Sequence, residues 1–406
     1  MGSEPHDICP HLSCTGCGAC RVICPVNAIS FANDQEGFWY PSIDVNRCVG
    51  CNACRRVCPS NKVMAKNAAD IKMAWSTNED LVAHSSSGGI FGALASHVVS
   101  CGGLVVGVRR EPDGLLHHVA VDSESDLQPM RKSKYYQSDT EDTFRAVANG
   151  LRRGRRVLFS GTACQVAALL SYLEAVHVSR AELLAVDVLC HGVVSRKLVD
   201  SFLASKEEVY GCPIVDLSFR TKDNVRGWQD GSSTATTATL QDGTRLIDPD
   251  QTFFKGFNEN IFLRESCYVC RYCGLDRVSD ITIADYWGVT DEEVPEERLR
   301  KGVSLVLLNT RKGRDEITKL TASGALVVSN VDAERAVAHN AALDHPNSRP
   351  TLRNRSYQLV EDMGYDRAVH RMFRRDYTSR AIKDRIKAIV GARAYQKLKK
   401  TIKGSQ

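Results

Sequence analysis

The chain has 406 residues, 43% hydrophobic and 25% charged, the proportions of an ordinary soluble globular protein with two or three domains. Met1 to Pro10 is polar without an apolar core and no uninterrupted apolar run reaches bilayer length, so neither a secretory leader nor a membrane span is expected, and a cytoplasmic protein is. The net charge of +5 is uneven: residues 366–406 hold thirteen Lys/Arg against three Asp/Glu, and the remainder hold 40 against 45. An acidic body with no zinc-finger or helix-turn-helix pattern argues against nucleic acid as a partner.

Cysteine is the outlier, with sixteen residues. Cys14, Cys17, Cys20 and Cys24 form a C-x2-C-x2-C-x3-C-P run, and Cys48, Cys51, Cys54 and Cys58 repeat it. This is the bacterial ferredoxin spacing for a 4Fe–4S cluster, in which the fourth cysteine of each run serves the other cluster. Cys14, Cys17, Cys20 and Cys58 are therefore assigned to one cluster, and Cys48, Cys51, Cys54 and Cys24 to the other. Pro25 and Pro59 turn the chain away after each lent cysteine. Zinc also takes paired C-x2-C spacings, but needs neither the third cysteine nor the C-P ending. Cys9 lies outside both runs and reads as a spare thiol near the terminus.

The ferredoxin module ends near Lys62, and a polar, alanine-rich link follows. From Leu81 the texture becomes α/β. Ile90–Val99 reads as a helix, Leu104–Val108 and His118–Val121 as strands, and Glu141–Arg153 as a helix. Arg155–Phe159 is a strand whose turn, 160–165, feeds the helix Val166–Leu173. Leu183–Leu189 is a buried strand ending in Cys190-His191-Gly192, and a helix lies near Arg196–Ser205. Ile214–Arg220 and Ser233–Leu240 are β-rich, and Ser279–Asp285 and Val303–Leu308 are later strands. Strands alternating with helices predict a sheet wound with helices, an α/β (α+β) body behind a small ferredoxin domain.

Cys267, Cys270 and Cys273 form a second metal-ligand cluster with only three thiols. Cys164 and Cys190 each occupy a strand-to-helix turn, where open α/β folds build their functional crevice. A third cluster is expected on Cys164, Cys190, Cys267 and Cys270, with Cys273 as spare or substitute. The plain alternative is that Cys164 and Cys190 are small buried hydrophobes, as Cys101 and Cys212 are read to be packing or surface residues. In the tail, Ile382, Ile386, Ile389, Val390, Leu398 and Ile402 recur near helical spacing among Lys and Arg. Such a basic amphipathic helix suits an anionic membrane surface, hence a peripheral location at the inner membrane face, or an acidic partner, or packs on its own body.

Seven stretches carry a resemblance: S-S-G-G-I-F at 86–91, R-K-S-K-Y-Y-Q-S at 131–138, L-F-S-G-T-A-C-Q at 158–165, V-L-C-H-G-V at 188–193, R-G-W at 226–228, S-C-Y-V-C at 266–270 and S-D-I-T-I-A-D-Y-W-G at 279–288. Together they resemble the beta-subunit family of coenzyme F420-reducing hydrogenase and formate dehydrogenase, and they are similar to plant 7-hydroxymethyl chlorophyll a reductase. Two positions depart from the family pattern: Ala163 stands for its proline, and Ala284 for its glycine. The resemblance divides the chain into a ferredoxin domain at 1–65, a two-part oxidoreductase domain at 75–150 and 151–345, and a basic helical tail at 346–406.

The resemblance implies FAD, a further 4Fe–4S cluster and a hydride carrier such as a deazaflavin of the coenzyme F420 type. It does so although no G-x-G-x-x-G fingerprint is present. Ser86, Ser87, Gly88 and Gly89 at a helix start suit an anionic phosphate, with Arg131, Lys132 and Lys134 adding positive charge. Tyr135 is read as stacking on a ring and Gln137 as bonding to one, with Gly161 and Thr162 at phosphate or the flavin edge. Asp285 and Trp287 line the cofactor pocket, and Arg226 and Trp228 meet substrate. His191 is a proton relay or flavin contact, or else a structural histidine. The expected path runs from hydride carrier to FAD, then the third cluster, then the two ferredoxin clusters, then a redox partner protein. Other readings are a reductase of a different substrate, or an electron-transfer subunit linked to cell-surface polysaccharide synthesis.

Overall fold

The computed structural model describes residues 7–222, 228, 236–247 and 251–374. Its body is an eight-stranded mixed sheet in the order Leu326–Asn330, Asp70–Ser76, Ser304–Leu308, Ile281–Asp285, Leu183–Val188, Val157–Thr162, Leu104–Arg110, Leu116–Val121. The strands from Ile281–Asp285 to Leu104–Arg110 run parallel, and antiparallel strands flank them on both sides. The parallel strands read as unbroken apolar runs because both faces are covered. Along Leu183–Val188, Leu183 and Ala185 pack with the helices Thr143–Arg152 and Ala163–Ala175. Leu184 and Val186 pack with the helices Ile90–Ser100 and Arg311–Ala322 on the other face.

The ferredoxin module contains the antiparallel hairpin Ile29–Asn33/Trp39–Ile43 and the short helices Ala19–Ile23 and Ala53–Val57. It is not a loosely tethered bead. Ala19, Val22 and Val57 share one buried cluster with Val166, Leu169 and Leu173 of the body. Burial of Val22 and Val57 contributes about 1.5 kcal/mol each. Ser171 Oγ donates to the Val57 carbonyl at 2.7 Å, and Arg21 forms a two-pronged pair with Asp139 at 2.5 and 3.1 Å.

Several expected boundaries shift. The strand Asp70–Ser76 is the second of the eight and pairs on both sides within the sheet, so the body begins inside the stretch read as a link, before residue 75. Its polar residues Asp70 and Lys72 disguised the pattern. The segment from 346 is not simply a tail. The helices Arg353–Met363 and Tyr365–Met372 bury Tyr357, Val360, Tyr365, Ala368 and Val369 against Phe202, Phe253 and Phe262. The amphipathic pattern from Ile382 to Ile402 lies outside the described residues. Ile214–Ser218 and Thr237–Leu240 join Arg245–Ile247 in a separate antiparallel sheet. Among the described residues no helix is long and apolar enough to cross a membrane.

Candidate functional site

A cavity of about 400 Å³ opens at the carboxyl ends of the parallel strands, the side on which open α/β sheets hold ligands. Local sequence builds its rim. Strand Val157–Thr162 ends at Thr162, whose N–H donates to Gln165 Oε1 at 3.0 Å as the helix Ala163–Ala175 begins. Ala163 therefore occupies the first helical position, where proline and alanine are both tolerated. A Cβ on Gly161 would come within 3.0 Å of Gln165 Oε1, so glycine keeps this wall thin. Ala284 also lines the cavity.

Ser86, Ser87, Gly89, Lys132, Lys134, Tyr135, Gln137, Gly161, Thr162, His191, Asp285 and Trp287 all line this one cavity, along with Cys164 and Cys190. Arg226 lies outside the described residues. Gly88 and Trp228 are behind the wall. The Gly88 N–H donates to Ser304 Oγ at 2.9 Å, and a Cβ there would meet the Ala74 carbonyl at 2.6 Å. It thus docks the loop to the sheet and has no amide left for a phosphate. Ser86 Oγ accepts from the Ser133 N–H, and Ser87 Oγ donates to the Val303 carbonyl, each at 2.8 Å. Trp228 is fully buried, stacks on Trp287 at 4.9 Å and donates its indole N–H to the Ser86 carbonyl at 3.1 Å. It supports the rim from behind and does not line the cavity.

Three other side chains differ from their expected roles. Lys134 Nζ donates to the carbonyls of Arg131 and Met130 at 2.8 and 2.9 Å. Burial pulls its pKa down to about 7, so it ties its own loop rather than offering a free cation. Lys132, exposed at a left-handed φ of 67°, is the residue that brings positive charge to the mouth. Tyr135 packs edge-on to Phe254 and Phe257 at 5.0 and 5.1 Å, which makes it part of an aromatic wall. Gln137 reaches the ferredoxin loop: its Nε2 lies 3.4 Å from the Thr15 and Gly16 carbonyls, and its Oε1 accepts from Arg264 at 3.0 Å. Both ends of its amide are engaged.

Asp285 is neutralised by a residue that sequence reading missed. Arg220 donates to both carboxylate oxygens at 2.8 and 3.1 Å and lies 5.3 Å over the Trp287 ring. His191 bonds through Nε2 to the Phe257 carbonyl at 3.2 Å, and burial lowers its pKa.

Behind the large cavity is a second one of about 70 Å³, lined by Cys164, Cys190, Cys267, Cys270 and Cys273. Cys164, Cys190 and His191 border both spaces. Burial pushes the thiols of Cys164 up to about 12 and Cys267 up to about 11, and Cys190 well above its usual range. Cys270 and Cys273 contact each other; that hydrogen bond lowers the first and raises the second. Thiols crowded away from water resist ionising until cations replace their protons. The donor set therefore fits an iron–sulfur cluster.

A third cavity of about 20 Å³ gathers Cys14, Cys17 and Cys20 of the first motif with Cys58 of the second. Cys9 lines it too and hydrogen-bonds with Cys14 and Cys58. It is therefore half-buried beside these thiols rather than loose at the terminus. Cys24 and Cys54 share a small apolar cluster, while Cys48 and Cys51 are exposed. Thr15 borders all three cavities.

Comparison with known proteins matches two spans of the chain. Residues 154–334 match the family described as the C terminus of the beta subunit of coenzyme F420 hydrogenase/dehydrogenase, and residues 13–62 match the 4Fe-4S dicluster domain. The body of the chain is thus similar to this beta-subunit family over residues 154–334. Its family domain follows a dicluster ferredoxin module, and the mixed α/β body expected behind that module is present. A chain of the F420-reducing NiFe hydrogenase complex from Methanosarcina barkeri, solved as a xenon derivative, is similar at 17% identity. The match has a TM-score of 0.47 and covers 69% of this chain and 90% of that one. No curated protein matches the chain.

Proposed function

We propose that this protein, whose body is similar to the beta-subunit family, is an iron–sulfur flavoprotein oxidoreductase. It moves electrons between a hydride carrier of the deazaflavin (coenzyme F420) type at the large cavity and a redox partner at the ferredoxin end. One observation carries the reading. Cys164 and Cys190 stand in the wall shared by the large cavity and the five-cysteine cavity, and Thr15 joins both to the Cys14/Cys17/Cys20/Cys58 set. On this reading electrons would pass from the large cavity through the five-cysteine set to the Cys14/Cys17/Cys20/Cys58 set, and from there to the set that includes exposed Cys48 and Cys51.

The residues divide the work. Gly89, at a left-handed φ of 85°, starts the helix Ile90–Ser100, whose amino end favours an anionic group, and Lys132 adds charge at the mouth. Trp287, braced by Trp228 and Arg220, offers a flat wall. Phe254, Phe257 and Tyr135 add an apolar aromatic wall to the same cavity. His191, kept neutral by burial, is a proton acceptor beside the thiols rather than a fixed cation. FAD bound here would exchange a hydride for single electrons, which 4Fe–4S clusters accept one at a time. Cys164, Cys190, Cys267 and Cys270 would hold the third cluster, with Cys273 in reserve.

The exposed end of the series indicates the kind of partner. Cys48 and Cys51 are exposed, flanked by Val45 and Val49 at 57% and 64% exposure. Arg47, Arg55 and Arg56 bond there to the backbone carbonyls of Val26, Asp7 and Cys51, which leaves their charge uncancelled by those contacts. Such a rim favours a protein with an acidic face.

The test is anaerobic purification with flavin, iron and sulfide measured together, followed by reduction with deazaflavin, NADH and NADPH in turn. The expected result is one flavin with about twelve irons, four per cluster, and bleaching by the deazaflavin. Iron and sulfide without flavin would overturn the reading in favour of a pure electron-transfer subunit.

A further inference from the structure

Among the described residues, Arg220, Arg264, Arg277 and Arg353 are arginines buried to 3% exposure or less. Arg220 meets Asp285 at 2.8 Å, Arg277 meets Asp187 at 2.6 Å, and Arg353 meets Glu36 at 2.5 Å. Arg264 makes no such pair among the described residues. Its Nε donates to the Cys14 carbonyl at 2.8 Å, Nη1 to Gln137 Oε1 at 3.0 Å and Nη2 to the Trp39 carbonyl at 2.8 Å. The guanidinium carbon lies 4.2 Å over the Tyr40 ring and 5.5 Å over Phe38. All these acceptors are neutral. A buried charge without a counter-charge costs several kcal/mol, and neutral hydrogen bonds and ring faces offset only part of that.

The missing negative charge has an obvious source. Arg264 lines the five-cysteine cavity, and its own carbonyl accepts from the Cys267 N–H at 2.9 Å. Its side chain ends on Cys14, in the ferredoxin set. Arg264 is therefore wedged between two groups of thiols that become anionic together when metal is bound.

We propose that Arg264 is a positioning residue supplying the shared counter-charge for the cluster on Cys14, Cys17, Cys20 and Cys58 and for the cluster at Cys164, Cys190 and Cys267. It raises both reduction potentials while clamping the ferredoxin loop to the body. Net charge and hydrogen bonding set the potential of such clusters, and a fixed nearby cation favours the more negative, reduced form. This rests on the cluster assignment proposed above.

The test uses full-length protein purified without oxygen and an EPR-monitored redox titration. In Arg264→Gln the two flanking centres are expected to shift to lower potential. The reduced-to-oxidised ratio at fixed potential should fall about tenfold, or ~59 mV for a one-electron couple. The exposed centre on Cys48, Cys51, Cys54 and Cys24 should keep its potential. Arg264→Lys, which retains the charge but not the fork, should shift the pair less. If Arg264→Gln fails to load iron, Gln137→Glu sets a carboxylate against the same guanidinium and should shift the same two centres downward. Iron-loaded variants whose flanking potentials do not move, or in which all three centres move alike, would overturn the proposal. Wild-type protein that holds no iron would sink the cluster assignment and this inference with it.

Discussion

The five-cysteine cavity makes an asymmetric prediction. Cys164 and Cys190 come from two different strand ends, and each borders the large cavity as well. Cys270 and Cys273 are in mutual contact, so one thiol stands ready where the other is lost. Cys164→Ser and Cys190→Ser should therefore each lose one whole cluster, about four irons of about twelve. Cys270→Ser should retain most of that iron because Cys273 takes its place, and the double variant Cys270→Ser/Cys273→Ser should lose it. The assay is iron and sulfide content per chain after anaerobic purification, with EPR to show that the ferredoxin signals persist. Full iron in Cys164→Ser, or a loss in Cys270→Ser as large as in the double variant, would refute the reasoning.

Three further outcomes follow from the geometry. Glu36→Gln removes the partner of buried Arg353, but Glu36 is 30% exposed and Glu265 lies 3.6 Å away as a substitute. The cost should fall to about 1–2 kcal/mol instead of the 3–5 typical of a fully buried pair; an unchanged thermal midpoint would exclude a role in docking the hairpin. His118 is buried, stacked on Phe159 and pushed down by burial to about 4. The unfolded chain therefore binds the proton first, and stability, fully present above pH 6.5, should fall by about 2 kcal/mol from pH 7 to 5. His118→Leu should flatten that slope in thermal melts at the two pH values, and an equally steep slope would exclude His118 as its source. Replacing Arg55 and Arg56 by Gln should slow electron delivery to an acidic flavodoxin at low salt and weaken its salt dependence. Stopped-flow rates that respond to salt as the wild type does would show that the partner docks elsewhere.

Legibility in the sequence tracked distance along the chain. The ferredoxin motifs could be read because ligand spacing within a tight loop is a local property. The strands read at Arg155–Phe159 and Leu183–Leu189 fell close to the observed Val157–Thr162 and Leu183–Val188 because buried parallel strands leave unbroken apolar runs. The roles of individual cavity residues were less legible. Gly88 looked like a phosphate cradle, but its amide is taken by Ser304, 216 positions away. Gln137 looked like a ring contact, but it faces Thr15 and Gly16 across the domain boundary. Arg220 and Arg264 carried no signal at all. A lone arginine reads as surface until something distant is seen to bury it.

The sequence by itself determined that this chain has two ferredoxin-type thiol runs and the alternating strands and helices of a wound sheet, because those follow from short-range spacing and periodicity. Only the tertiary structure decided which thiols share a cavity, that the ferredoxin module shares a core with the body, and that one buried guanidinium has no carboxylate partner among the described residues. Those depend on packing between segments hundreds of residues apart, where burial and pairing exist only once the chain has closed on itself.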